Sequence, residues 1–135
     1  MISNEIGILS VLSSRFICKF YRIEQDQEFV NFQNLTFQIY LVLERCSETT
    51  LSSYCKKQNG HYLLERKAKL IFYYVCRGVY ELHRQNICHR DIKMTNILID
   101  KEGKPKIIDL GFATKDTFEH KLYCGTPSYM APEII

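Results

Sequence analysis

The sequence carries little net charge, because 18 lysines and arginines stand against 15 aspartates and glutamates among 135 residues. So small a basic excess, spread along the chain, gives no patch for nucleic acid or an anionic membrane, and we expect neither as a partner. Long apolar runs are also missing, so no segment is expected to cross a bilayer. The short run Ile6–Leu12 follows Glu5 rather than a basic segment, which argues against a cleaved signal peptide.

Closely spaced cysteine pairs are absent too. Zinc modules need ligands that are close in sequence, and disulfide scaffolds are usually shorter and denser in cysteine. The scattered thiols are therefore predicted to be reduced core residues of an intracellular protein, in the cytoplasm or nucleus. They are Cys18, Cys46, Cys55, Cys76, Cys88 and Cys124.

What is present is an ordinary composition, with 46% hydrophobic and 24% charged residues, which argues against disorder, collagen and coiled coil and fits one domain. Apolar spacing predicts a helix over 2–12, and apolar runs predict strands over 16–23 and 37–44. The polar residues 24–36 between them are predicted to form a long loop. The continuous apolar run Ile39–Leu43 predicts that the second strand is covered on both faces.

The second half begins with the strongest helical pattern, over residues 62–84. Gly78 inside it costs about 1 kcal/mol relative to alanine, which suggests close packing at that point. The apolar runs Ile97–Ile99 and Lys106–Ile108 then predict a β-hairpin and an α+β fold. The helical stripe consists of Leu64, Ala68, Ile71, Phe72, Val75, Val79 and Leu82.

The hairpin leads to a candidate metal site. If Ile97 pairs with Ile108, then Asn96 falls opposite Asp109 and their Cα atoms lie roughly 4.5–5.5 Å apart. A carboxylate and a carboxamide oxygen are suitable ligands for Mg²⁺.

A candidate proton acceptor precedes the hairpin in the octet His89-Arg-Asp-Ile-Lys-Met-Thr-Asn96. Alone, Asp91 would more often be a helix cap or a solvated charge. With Lys93 two residues beyond it and the hairpin following, the set of one proton acceptor, one ammonium group and two metal ligands predicts phosphoryl transfer.

These motifs resemble those of a eukaryotic protein kinase domain. The octet resembles the catalytic loop, Asp109–Gly111 the metal-binding triplet, and Gly125–Glu133 the end of the activation segment. The resemblance implies a partial N-lobe over residues 1–44, with the family's αC helix and its fourth and fifth strands. It also implies the first half of the helical C-lobe over 45–135.

The resemblance also implies roles for single residues. Asp91 would accept or orient the proton of the substrate hydroxyl, and Lys93 would contact the transferred phosphate. Thr126 would steady both side chains, while Asn96 and Asp109 would hold Mg²⁺ against the phosphates of ATP. Lys93 and the Gly-Thr-Pro sequence at 125–127 resemble serine/threonine kinases, so the expected acceptors are protein Ser/Thr hydroxyls.

Adenine binding is assigned by resemblance to the segment 44–46. Glu44 and Cys46 would bind the nucleotide through the hinge, with Leu43 as gatekeeper and Leu98 as a further nucleotide contact. Glu5 stands at the position of the family's αC glutamate.

Regulation is expected to depart from the usual single-site switch. Arg90 normally receives a phosphate on the activation loop, but Leu122 occupies the usual acceptor position. Thr117 and Tyr123 are the nearby candidates for modification, and Glu119 could act as a permanent anion.

By this resemblance the domain is incomplete at both ends. The chain contains no Gly-x-Gly-x-x-Gly sequence, no lysine-bearing strand before Glu5 and none of the helices that follow the position of Glu133 in the family, so the resemblance covers about the middle half of a kinase domain. The alternative hypothesis is therefore a catalytically inactive kinase-like fragment that acts as an interaction or regulatory protein. A generic α+β nucleotide-binding protein is a third, less specific alternative.

Overall fold

The computed structural model describes residues 2–31, 34–115 and 124–134. Within these residues it contains three α-helices and two antiparallel hairpins, as the α+β prediction requires. The elements are α1 (Ile2–Val11), β1 (Phe20–Asn31), β2 (Asn34–Leu43), α2 (Leu51–Lys56), α3 (Glu65–His83), β3 (Ile97–Ile99) and β4 (Pro105–Ile107).

The first hairpin is longer than the sequence predicts. Strands β1 and β2 pair from Phe20 opposite Leu43 to Asn31 opposite Asn34, so the predicted loop over 24–36 is wrong. The ladder is built from backbone hydrogen bonds, which do not need the apolar alternation used to recognise strands. The prediction that the second strand is covered on both faces is also wrong, because Ile39 and Tyr40 are 48% and 44% exposed.

Helix α3 confirms the strongest helical prediction, although its apolar stripe is only partly covered. Ile71 and Leu82 are buried, whereas Leu64 and Phe72 are 75% and 70% exposed. The close packing expected at Gly78 is present. A Cβ atom there would lie 2.7 Å from Cδ1 of Ile107, so the glycine allows β4 to approach the helix.

The second hairpin forms where predicted, but its register differs by one residue. Ile97 pairs with Ile107 rather than Ile108, and Leu98 pairs with Lys106. A slip of one residue exchanges the two faces of a strand. The observed register places Ile97 and Ile107 together in the interior, whereas the predicted one would turn the charged Lys106 towards it.

The main core lies between α1, α3 and the second hairpin. Its buried members are Ile8, Leu9, Ile17, Leu82, Ile87, Ile107, Leu110 and Ala113, with Phe20 packed against them. The cysteines are not core residues as predicted, because Cys76 is exposed and the other five are half-buried, all as free thiols. Within the described residues, no helix has the length and apolar character that crossing a membrane requires.

Candidate active site

The candidate active site begins with a loop, residues 88–96, that is fixed at both ends. Cys88 and Thr114 exchange two backbone hydrogen bonds of 2.9 Å, and the carbonyl oxygen of Asn96 accepts from the N–H of Ile108 at 3.0 Å. The loop is therefore clamped against the segment 108–114, which carries Asp109. Chain segments about 20 residues apart in sequence are held side by side.

A buried imidazole strengthens this clamp. His89 is 3% exposed, and its Nδ1 accepts a hydrogen bond from the backbone N–H of Asp91 at 3.2 Å. Its Nε2 then carries the proton and donates to the carbonyl oxygen of Ile108 at 3.2 Å. Burial lowers the pKa of His89, despite opposing effects of that carbonyl, Asp109 and Asp91, so the ring is neutral near pH 7. His89 thereby fixes the backbone at Asp91.

Asp91 lies at the centre of a closed set of polar contacts. Its Oδ2 is 2.7 Å from Nζ of Lys93, and its Oδ1 accepts a hydrogen bond from Oγ1 of Thr126 at 2.7 Å. Lys93 in turn donates to Oγ1 of Thr126 at 2.9 Å. The structure thus brings together the three residues that the sequence assigns to catalysis.

The amide of Asn96 adds a further donor, because its Nδ2 reaches Oδ2 of Asp91 at 2.9 Å. Burial by itself raises the pKa of Asp91. Hydrogen bonds from Lys93, Thr126 and Asn96, together with the charge of Lys93, outweigh it and hold the pKa below its ordinary value. Asp91 is therefore an oriented anion at neutral pH.

Asn96 and Asp109 are not cross-strand partners, which corrects the predicted route to a metal site. The observed register places Asn96 beside Ile108, to which its carbonyl is bonded. Because Nδ2 of Asn96 is held by Asp91, its amide oxygen is the atom suited to a cation. Asp109 is exposed, so the pair offers the hard oxygen donors that Mg²⁺ prefers.

Two residues of the site have left-handed backbones that only glycine adopts freely. Asp109 has φ 63° and Arg90 has φ 65°. Oδ1 of Asp109 accepts from the N–H of Gly111 at 3.2 Å, and Nε of Arg90 donates to the carbonyl of Phe112 at 2.6 Å. The two bonds stabilise these backbone conformations, and the side chain of Asp109 is exposed.

Glu5, predicted as the αC glutamate, lies near this site. Burial and the negative charge of Asp109 raise the pKa of Glu5. Helix α1 therefore brings a second carboxylate towards the candidate metal ligand. The predicted modification sites Thr117 and Tyr123, and with them Leu122 and Glu119, fall outside the described residues.

The predicted hinge residues border a groove of about 730 Å³. Glu44, Cys46 and Leu98 all line it, whereas Leu43, 42% exposed at the end of β2, is not among the residues that do. The backbone N–H of Glu44 donates to the carbonyl oxygen of Lys19 at 2.7 Å. The carbonyl oxygen of Glu44 is therefore its backbone group that is left for a ligand. That carbonyl is already contacted by the Cys18 thiol at 3.6 Å but keeps a second lone pair.

Sequence reasoning missed Lys106, which lines the same groove. Its Nζ lies 2.5 and 2.6 Å from the two carboxylate oxygens of Glu44. The correct register would have revealed it, because Leu98 and Lys106 are directly opposed and face the same side. The groove therefore has an apolar wall beside an ion pair.

A protein-family model described as "Protein kinase domain" matches residues 1–135. The chain belongs to the protein kinase domain family. Among its relatives, "Probable serine/threonine-protein kinase PLK" of Dictyostelium discoideum is 38% identical over 99% of the chain, which covers 13% of that protein. "Serine/threonine-protein kinase PLK4" of Nematostella vectensis is 35% identical over 98% of the chain and 13% of that protein.

A third relative is a kinase with a different name. "Sperm motility kinase 3A" of Mus musculus is 38% identical over 73% of the chain, which covers 19% of that protein. The chain thus spans less than a fifth of the length of these relatives. In this kinase-domain chain, the structure holds two parts of the site side by side, residues 91–96 and residues 109–111.

Proposed function

We propose that the chain is the catalytic part of a serine/threonine protein kinase, which transfers the γ-phosphate of ATP to Ser/Thr hydroxyls of proteins. The closed set of contacts among Asp91, Lys93 and Thr126 is the observation that carries this proposal. It presents one carboxylate anion and one ammonium group at the same point, with a hydroxyl from the activation segment between them.

In the proposed reaction, Asp91 accepts a hydrogen bond from the substrate hydroxyl and directs its oxygen towards the γ-phosphorus. The new oxygen–phosphorus bond forms as the bond to the bridging oxygen breaks, and ADP leaves with that oxygen. Asp91 takes the hydroxyl proton. Its lowered pKa makes it a weak base, which suits a group that orients the hydroxyl first and receives the proton late.

Asn96 and Asp109 would hold Mg²⁺, since their amide and carboxylate oxygens fit that cation. Held there by Asn96 and Asp109, the cation would neutralise negative charge on the phosphates. Lys93 would supply a further positive charge to the transferred group. Glu44, Cys46 and Leu98 would contact the adenosine moiety, in a groove that is lined by Glu44 and by residues of the proposed C-lobe.

The preference for Ser/Thr acceptors rests on Lys93, Thr126 and the Gly-Thr-Pro sequence, and on relatives that are named serine/threonine-protein kinases. We infer the same acceptor class for this chain. Arg90, Thr117 and Tyr123 remain the proposed residues for regulation by phosphorylation.

The test compares phosphate transfer from Mg·ATP to a serine peptide and to a tyrosine peptide. Asp91→Asn should lower kcat by about 10²- to 10⁴-fold and leave the Kd for nucleotide within a few-fold of wild type. Glu65→Gln is the matched carboxylate control, because Glu65 is 80% exposed in a surface ion pair with Lys69. It should not change either constant.

Equal kcat for wild type and Asp91→Asn would refute the proposed role of Asp91. Nucleotide binding without any transfer by wild type would instead favour the alternative, a non-catalytic kinase-like interaction protein. Transfer to the tyrosine peptide alone would contradict the acceptor class.

A further inference from the structure

Three side chains with metal-binding atoms meet at the border of the groove, away from Asp91. They are Cys18, Glu44 and Cys46, and one ligand atom from each lies within 4.8 Å of the other two. In the described part of the chain no other group of three His, Cys, Asp or Glu residues comes this close. Cys18 and Cys46 are 28 residues apart, so the fold brings their thiols together.

The distance between the two sulfur atoms is 3.6 Å. In a tetrahedral site with zinc–sulfur bonds of about 2.3 Å, two sulfurs lie about 3.8 Å apart. A disulfide would need them at about 2.05 Å, which requires a much larger movement. We propose that Cys18, Cys46 and Glu44 bind a soft divalent cation of the zinc type, with water as the fourth ligand.

The charges around this site balance when the cation is bound. Two thiolates offset a divalent cation, and the carboxylate of Glu44 is already paired with the ammonium of Lys106. Glu44 has two oxygens, so one can turn to the cation while the other stays with Lys106. A half-buried site that is neutral overall avoids the cost of an uncompensated charge. A coordinated cation drives deprotonation of its thiol ligands directly, so the two thiolates that the site needs would form as the cation binds.

The site would add a link between the segment before β1 and the segment after β2. Cys18 lies just before β1, and its N–H already donates to Ile107 at 2.8 Å. Cys46 lies on the wall of the groove. A cation bound only by the folded chain would stabilise it and fix that wall against the core.

Titration of the full chain with Co²⁺, in a phosphine reductant that keeps the thiols reduced, tests the proposal. We expect one thiolate-bound Co²⁺ per chain, with near-ultraviolet thiolate-to-cobalt charge-transfer bands that disappear when Zn²⁺ displaces the Co²⁺. Cys18→Ser and Cys46→Ser should each weaken Zn²⁺ binding at least about tenfold and diminish the bands. Glu44→Gln should weaken binding but keep the bands, because both sulfurs remain.

Cys76→Ser is the matched control, since Cys76 is an exposed thiol on α3 and should bind Zn²⁺ like wild type. Cadmium NMR of wild type shows directly whether sulfur ligates the ion, so the test does not depend on how the variants fold. Unchanged bands in the Cys18→Ser/Cys46→Ser double variant, or no sulfur ligand in the cadmium spectrum, would overturn the proposal. The proposal would also be overturned if the reduced chain bound no Co²⁺ and peroxide converted Cys18 and Cys46 into a disulfide.

Discussion

The two hairpins of this molecule contrast in length and in burial. The β1–β2 ladder pairs Phe20–Asn31 with Asn34–Leu43, yet Tyr21 and Ile39 on it are about half exposed. The β3–β4 ladder has three residues in each strand, and its inward side chains are buried at 5% exposure or less for Ile97 and Ile107. The candidate catalytic residues adjoin the short hairpin. Burial against a helix, rather than the number of ladder hydrogen bonds, fixes a site in place.

The largest expected effect comes from cutting a side chain of the short hairpin. Ile107→Ala should lower the free energy of unfolding by about 2–5 kcal/mol, because it leaves a cavity between β4 and α3. Ile39→Ala makes the same change in the long hairpin. Because Ile39 is 48% exposed, this substitution should change the free energy of unfolding by no more than about 0.5 kcal/mol. Urea unfolding measures both values, and equal losses would break the contrast between the hairpins.

A smaller effect is expected from adding one carbon atom at a helical glycine, either away from both hairpins at Gly7 or against the short hairpin at Gly78. Alanine normally stabilises a helix by about 0.5–1 kcal/mol over glycine, and Gly7→Ala in α1 should show this gain, since nothing lies within 4 Å of its Cβ position. Gly78→Ala should instead destabilise by about 1–3 kcal/mol, because its Cβ would meet Ile107 and Phe16. Thermal unfolding compares the two. A gain at Gly78 would mean that β4 can shift away from α3.

The smallest effect concerns the outward face of the short hairpin. Burial raises the pKa of Glu44, but Lys106 and Lys19 outweigh it and hold that pKa below its ordinary value. A lowered pKa stabilises the folded chain above the unfolded value, and this contribution is lost as the pH falls through the folded pKa. Lys106→Met should therefore cost up to about 1 kcal/mol at neutral pH.

The difference between wild type and Lys106→Met should shrink as the solution is acidified below the ordinary pKa of a glutamate. Urea unfolding across that range measures it, and an NMR titration should show the pKa of Glu44 rising in the variant. Lys104→Met is the control, because the Lys104–Glu102 pair is 53% and 71% exposed and should contribute nothing measurable. A pH-independent difference at Lys106 would show that the ion pair is not its cause.

The sequence predicts those elements whose burial is periodic. Helices α1 and α3 and the position of the short hairpin were predictable for that reason. The hairpin register was not, because Ile107 and Ile108 are both apolar and either could face inward. The outer part of the long hairpin was missed because its strands are polar over residues 24–28. Helix α2 is short, and its one usable signal was Thr50, which caps it through the N–H of Ser53.

Within the candidate site, motif spacing predicts the residue types better than their contacts. The octet identifies Asp91 and Lys93, and the structure brings them together with Thr126. No local pattern predicts that both oxygens of Asp91 accept hydrogen bonds from side chains, or that Lys106 reaches Glu44. These contacts depend on how distant segments pack, which periodicity does not encode.

The hydrogen bonds to Asp91 have a consequence for the order in which the site assembles. Asn96 reaches Asp91 from five residues away, so that contact closes a short loop and can form with the 3₁₀ turn Met94–Asn96. Thr126 is 35 residues from Asp91, so its contact closes a longer loop at a greater entropic cost, and we expect it to form later. A chain that had formed only the short-range contact would hold the carboxylate through one oxygen and would lack its full set of donors.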